Sequence, residues 1–434
     1  MSHVIVADLG YGDAGKGTVV DWLCSPDGGG PVHTVVRFNG GAQAGHNVVT
    51  PDGRHHTFAQ FGSGTFTPGV RTHLSRFVLV DPLALAAEAE HLASAGVPDA
   101  LGRLSIDRDA LLVTPYHRAA NRAREMARGK NRHGSCGMGI GETASYALAH
   151  PADAPRVSDC AAPRTLGRKL TNLRDYLTSQ LGQLDVPARA GLCDAYRAFA
   201  TTVPLVDSGY LRRLLRSGRA VFEGAQGILL DEWRGFHPYT TWSTTTFGNA
   251  ETLLAEAGES AIRLGVTRCY MTRHGPGPFV TEDPTLEIPE PHNHQGTESG
   301  RWQGRFRTGH LDAVALRYAA DVSGSVDAVA LTHLDIARSH VGQLRLCQQY
   351  EWNSGRLQRL RLGPDHDLGR QERLTQLLQS EFLPVYDSRV PANDDEWCDA
   401  VAEITGAPVT VRSSGPASTQ KAGDVRAVPE AVSR

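Results

Sequence analysis

Two short glycine-rich segments carry most of the chemistry written in this chain. The first, Gly10-Tyr-Gly-Asp-Ala-Gly-Lys16, has the G-x-x-x-x-G-K spacing of a phosphate-cradling loop. Its glycines let backbone N–H groups close on an anion, and the lysine adds positive charge. The Ser or Thr that usually follows the lysine and holds Mg²⁺ is Gly17. A metal would need another anchor, and Asp13 sits inside the loop. A carboxylate there repels phosphate unless a cation lies between them or it takes up a proton during the chemistry. The second segment, Asn39-Gly-Gly-Ala-Gln-Ala-Gly-His46, ends on a histidine. If both loops face one substrate, Asp13 and His46 supply a base and an acid. The bland alternatives are an ordinary strand-to-helix turn and one structural histidine among 18. The strand before the first loop, Lys16 and the helix after it favour phosphate binding. The glycine-rich setting of His46 offers little core for an imidazole to satisfy.

Two further segments carry polar groups suited to a ligand. Arg301, Arg305 and Arg307 crowd one loop with Trp302 and Gln303, and guanidinium clusters pair with phosphate or carboxylate. Leu331-Thr-His-Leu-Asp335 ends a strand with an acid, where a carboxylate can read the N–H edge of a base. A solvated basic turn and a surface aspartate are the competing readings.

The elements that must position these groups alternate strand and helix. Val4 to Leu9 reads as a buried strand, with a helix resuming near Thr18. Val32 to Phe38 is a second strand, ending in the second glycine loop. Arg76 to Val80 is a third, stopped by Asp81-Pro82, and Ala84 to Ala95 is helical. Residues 116–200 have a helical pattern, interrupted by the glycine-dense 134–141, which reads as a mobile loop. Strand signals return at Ala220, Arg268, Ala328 and Pro408, with a helix from Asp394 to Ile404 capped by Asn393. The pattern predicts an α/β fold with a large, mainly parallel central sheet of phosphate-loop type and helical insertions. It predicts one catalytic domain over 1–416, a helical insertion at roughly 84–215, and a polar tail at 417–434 that frays. Glycine loops at neighbouring strand ends would build one site at the carboxyl edge of such a sheet.

Composition narrows the function classes. The chain has 434 residues, 40% hydrophobic and 21% charged, with net charge −3. This is a globular composition and argues against a protein built to bind nucleic acid. Seven cysteines stand singly with no C-x-x-C, which indicates neither structural zinc nor a redox pair and suits a reducing cytoplasm. No apolar run reaches membrane-spanning length, and the first strand begins without a secretory leader.

Six ordered motifs resemble the adenylosuccinate synthetase family, GTP-dependent ligases of purine synthesis. They are Gly12-Asp-Ala-Gly-Lys-Gly-Thr-Val-Val-Asp21, Val35 to His46, Phe222-Glu-Gly-Ala-Gln-Gly-Ile-Leu-Leu-Asp231, Thr308 to Ala315, Leu331 to Asp335, and Ser413-Ser-Gly-Pro416. The resemblance implies a homodimer using GTP, Mg²⁺, aspartate and inosine monophosphate (IMP). It makes Asp13 proton acceptor and Mg²⁺ ligand, the Gly45 carbonyl a second ligand, His46 an acid, and Lys16 the neutraliser of the transferring phosphoryl group. It assigns GTP to Gly15, Gly17, Thr18, Asn47, Arg307, His333, Asp335, Ser413 and Gly415. The acceptor falls to Gln43, Cys136, Gln226 and Thr241, and the amino acid to Trp302, Gln303 and Arg305.

The departures from the family pattern fall on the substrate readers. Met138 stands for an arginine, and no arginine stands near His150, where the family's partner subunit offers one to the 5′-phosphate. Gln43 replaces an asparagine, Trp302-Gln303 a Thr-Thr pair, His333 a lysine and Ala14 a glutamate. Charge-assisted bonds contribute roughly 1.5–3 kcal/mol each, so their loss weakens a nucleotide monophosphate. The sequence therefore implies GTP-driven oxygen activation acting on IMP or on a divergent acceptor. An ordinary purine-pathway enzyme, with Arg132 or Arg156 supplying phosphate contacts, and a non-catalytic GTP-binding homologue are the rival readings.

Overall fold

A computed structural model describes residues 2–290 and 302–427. Among these, ten strands form the central sheet: β1 (His3–Asp8), β2 (Val32–Arg37), β3 (Arg71–Leu74), β4 (Leu104–Asp107), β5 (Leu205–Val206), β6 (Arg219–Gly227), β7 (Ala261–Arg268), β8 (Ala328–Thr332), β9 (Val409–Ser413) and β10 (Lys421–Gly423). Their spatial order is β10-β9-β8-β7-β1-β6-β2-β3-β4-β5. Every pair is parallel except β9 with β10. The apolar run of β1 reflects burial on both faces, as inner parallel strands require. Ile5 and Ala7 enter one core, with Phe38, Phe222 and Leu331. Val4 and Val6 enter the opposite core, with Val19, Trp22 and Val35.

Several boundaries differ from the sequence reading. The third strand lies at Arg71–Leu74, and only Leu79–Val80 of the expected stretch is extended. Between them Val78 N–H turns back onto the Ser75 carbonyl, while Asp81 caps the next helix, Pro82–Ser94, by accepting from Leu83 and Ala84 N–H. The segment expected as a helical insertion carries a core of its own, with Leu74, Ile106, Tyr116 and Leu166. It also gives β4 and β5 to the sheet edge, so it is continuous with the main fold. The strand expected from Arg268 is two strands: β7 ends there, and Tyr270–His274 pairs antiparallel with Phe306–Asp312 in a second sheet. The tail does not fray where it is described. Lys421 is 8% exposed, and its ammonium donates to the Gly415, Pro416 and Ala417 carbonyls, fastening β10 beside β9. Asn393 caps Asp394–Thr405 as expected. Among the described residues, no helix is long and apolar enough to cross a membrane.

Candidate active site

The carboxyl ends of β1, β2, β6, β7, β8 and β9 open on one cavity of about 1120 Å³. The phosphate loop follows β1 and leads into helix α1 (Lys16–Cys24). Its shape is set by an acid that sequence reasoning passed over. Asp8, fully buried, accepts from Gly10 N–H at 2.8 Å, Ala14 N–H at 2.8 Å and Lys16 Nζ at 3.1 Å. Gly12, Asp13 and Gly15 take φ of 95°, 60° and 91°, a region that glycine enters without steric cost and aspartate tolerates. The first turn of α1 has no side-chain cap, which leaves amide donors and the positive end of the helix for an anion.

The two glycine loops meet at Gly17. A Cβ there would lie 2.7 Å from His46 Cβ and 3.1 Å from Ser63 Oγ. The missing hydroxyl of the phosphate loop thus has a steric reason: the second loop occupies its place. His46 Nδ1 lies 2.6 Å from Glu223 Oε1, and Glu223 also accepts from Ser63 N–H and hydroxyl. With Nδ1 taken up, Nε2 is the ring nitrogen that remains to address a substrate. Burial lowers the His46 pKa, and the Glu223 carboxylate opposes it. Burial would raise Glu223, but the neighbouring His46 and Arg37 outweigh it and keep this acid ionised.

Asp13 Oδ2 lies 3.2 Å from His274 Nε2, and its backbone carbonyl accepts from Arg268 Nε at 2.6 Å. Burial would raise its pKa. The His274 hydrogen bond and the charges of His274, Arg268 and Lys16 prevail and hold it well below the usual carboxylate range. At the β8 and β9 ends, Thr332 Oγ1 donates to the Ala14 carbonyl at 2.8 Å and Thr18 Oγ1 to the Pro416 carbonyl at 2.6 Å. These bonds bring Asp335, Ser413 and Gly415 beside the loop. Asp335 Oδ1 is buried without a partner, as a carboxylate awaiting a ligand N–H would be. His333, left-handed at φ 60°, is kept neutral chiefly by burial.

Asp13, Gly15, Lys16, Gly17, Thr18, Gln43, Gly45, His46, Asn47, Cys136, Gln226, Thr241, Gln303, His333, Asp335, Ser413 and Gly415 all line the cavity. Arg307, Arg305 and Trp302 do not. Arg307 is tied to Glu282 at 2.7 Å and to the Gly277 carbonyl at 3.0 Å. Trp302 lies under the Arg122 guanidinium, and Arg305 is exposed. Arg301 lies outside the described residues. Neither Arg132 nor Arg156 reaches the wall: Arg132 is exposed, and Arg156 turns to the Asp109 carbonyl. His150 packs its ring against Tyr146 and Tyr176. Among the described residues no cluster of three or more His, Cys, Asp or Glu could hold a metal. Asp8, Glu223, His274 and Arg268 are the working residues that the sequence hid. Glu223 stood inside a quoted motif, whereas His274 carried no local signal.

A carboxylate, an imidazole and a loop lysine around one nucleotide-sized cleft, at the carboxyl edge of a parallel sheet, define a nucleotide-dependent phosphoryl-transfer enzyme of the α/β class. The sequence profile described as adenylosuccinate synthetase matches residues 5–422. The chain belongs to that family, whose members are GTP-dependent ligases that form a C–N bond. It is 33% identical over 428 residues to the adenylosuccinate synthetase of Bordetella avium, covering 95% of this chain and 96% of the relative. It is 33% identical over 431 residues, with the same coverage, to that of Neisseria meningitidis serogroup A. The fully ligated Plasmodium falciparum adenylosuccinate synthetase shares the fold with TM-score 0.78 at 21% identity, covering 98% of this chain and 100% of that one. The succinoaminodeoxyadenylate synthetase of cyanophage S-2L, bound to dGMP and dATP, matches with TM-score 0.55 at 18% identity, covering 97% and 95%.

Proposed function

We propose that this enzyme uses GTP to phosphorylate the carbonyl oxygen of a ring amide and then replaces that oxygen with the amine of aspartate. Asp13 takes the proton from the ring nitrogen next to the carbonyl. Charge moves onto the oxygen, which attacks the γ-phosphorus, and GDP leaves. The aspartate amine adds to the activated carbon and inorganic phosphate departs, giving an N-succinyl product. Because its pKa is low, Asp13 is ionised at neutral pH but a weak base. Proton removal must therefore run together with P–O bond formation. His46, oriented by Glu223, donates through Nε2 to the oxygen gaining charge, and Lys16 offsets the charge on the transferring phosphoryl group. The positive end of α1 faces the phosphates, and Asp335 reads the guanine N–H edge.

The Asp13 carboxylate and the Gly45 carbonyl are hard oxygen donors on one wall, a set suited to Mg²⁺ completed by substrate phosphates. When bound, that ion would neutralise charge on the β- and γ-oxygens. The observation that carries this reading is the contact of the two loops at Gly17, which sets base and acid on one cavity. The family resemblance adds a homodimer, and seven free cysteines agree with a cytoplasmic setting. Phosphate release from GTP in the presence of Mg²⁺, aspartate and a lactam acceptor tests the proposal. Asp13→Ala should lower kcat by about 10²–10⁴ while GDP still binds. A protein that binds GTP but releases phosphate equally slowly in both forms is a binder, and the proposal fails.

A further inference from the structure

One lobe of the cavity lies between the second glycine loop and helix α2 (Ile140–Ala149). Gln43, Cys136, Met138, Thr241 and Trp242 wall it. The sites where Cβ atoms would stand on Gly41 and Gly141 lie 3.2 Å from Gln43 Oε1 and 3.1 Å from the Trp242 ring, which draws these groups together.

The lobe has no cation to offer a phosphate. Arg118 pairs with Asp81 at 3.7 Å, Arg124 with Glu142 at 3.0 Å, and Arg128 with Glu125. Elsewhere on the wall Arg268 pairs with Glu290, and Lys16 with Asp8. Arg273 is buried over the Tyr11 ring and held by the carbonyls of Pro276, Pro278 and Tyr239. Among the described residues, every lysine and arginine on the wall is thus committed. GTP has the open first turn of α1 for its phosphates. The matching turn of α2 also lacks a side-chain cap, but Glu142 sits in it and places a carboxylate on the positive end. Cys136 cannot serve an anion either, because burial pushes its thiol up to about 11.

What the lobe does offer is neutral and specific. Both polar atoms of the Gln43 amide are buried without a partner, and an unmade buried hydrogen bond costs about 1–3 kcal/mol. A ligand presenting a donor and an acceptor, such as a hydroxyl or a lactam edge, would satisfy both. Trp242, 46% exposed on the wall, gives a flat apolar surface for a ring.

We infer that this lobe selects an uncharged, hydroxyl-bearing acceptor of nucleoside size and disfavours its 5′-monophosphate, with Gln43 reading the neutral polar edge and Trp242 the ring. This rests on the ligase reading above, and the test separates the two. Calorimetric titration with inosine and with IMP, in the presence of GDP and Mg²⁺, reads the preference without turnover. Inosine should bind about tenfold tighter or better. IMP binding as tightly as inosine, or tighter, overturns the inference, and so does failure of both to bind. Inosine binding with no phosphate release from GTP and aspartate leaves the neutral lobe standing and brings down the ligase reading instead. Glu142→Gln removes the carboxylate from α2 and frees Arg124, so it should narrow the preference for inosine about fivefold. An unchanged ratio overturns the electrostatic account.

Discussion

The reaction centre works through residues that prepare other residues. His46 is useful as an acid only while Glu223 holds its Nδ1 at 2.6 Å. Burial lowers the imidazole pKa and Glu223 opposes that fall, so removing the carboxylate should lower it further. Glu223→Gln should therefore shift the limb of kcat that depends on protonated His46 toward lower pH. At neutral pH, kcat should fall on the order of 10² with GDP affinity little changed. A pH–rate profile beside a GDP titration checks this, and a profile that keeps its position would mean that Glu223 only supports the fold. Asp8 prepares Lys16 in the same sense. It receives three amide donors of the loop in addition to the ammonium, so the phosphate loop is folded around a carboxylate of its own.

At the scale of elements, the decisive contact is the one between loops after β1 and β2. Gly17→Ser would restore the hydroxyl that phosphate loops ordinarily carry, yet its Cβ would stand 2.7 Å from His46 Cβ and 3.2 Å from the His46 backbone carbon. Relief must come from moving the second loop, since α1 is buried behind Gly17. Overpacking of this kind costs about 1–3 kcal/mol. The variant should lower Tm by a few degrees, and kcat by more than that stability change explains, because His46 is carried off its oxygen. Thermal unfolding and initial rates measured together decide it. This contact also marks the limit of what the sequence could yield. The glycine loops and central strands were legible because inner parallel strands are unbroken apolar runs. Glu223 was not, since its partner comes from another strand end: it stands opposite Val6 on β1 and Arg37 on β2, and strand order is invisible in a single segment. Arg307 misled for the converse reason. An arginine in a basic loop looks free until Glu282, 25 residues away, is seen to hold it.

Across the whole molecule, the chain closes its nucleotide site with its last described strand. Lys421 on β10 reaches back to three carbonyls of 415–417, the loop that also takes the Thr18 hydroxyl of α1. Periodicity could not reveal this, because β10 has three residues and its role lies in one ammonium. Burial pulls the Lys421 pKa down to about 8 against the opposing charges of Asp21 and Asp335. Between pH 8 and its ordinary value of 10.5 the unfolded chain binds more protons at this site than the folded one, so this group makes stability rise with pH. Its effect on the site runs the other way. As pH passes 8, the ammonium loses a proton, one of its three donors goes, and the loop beside the guanine reader loosens. The KM for GTP should therefore climb above pH 8 in the native enzyme. Lys421→Met should show a KM raised about tenfold already at pH 7, from three carbonyls left without their donor, and should lose the climb. Measuring KM for GTP in both forms from pH 7 to 9 isolates the lysine, because the ionisation of GTP itself is common to both. Parallel curves would show that β10 is only an edge strand.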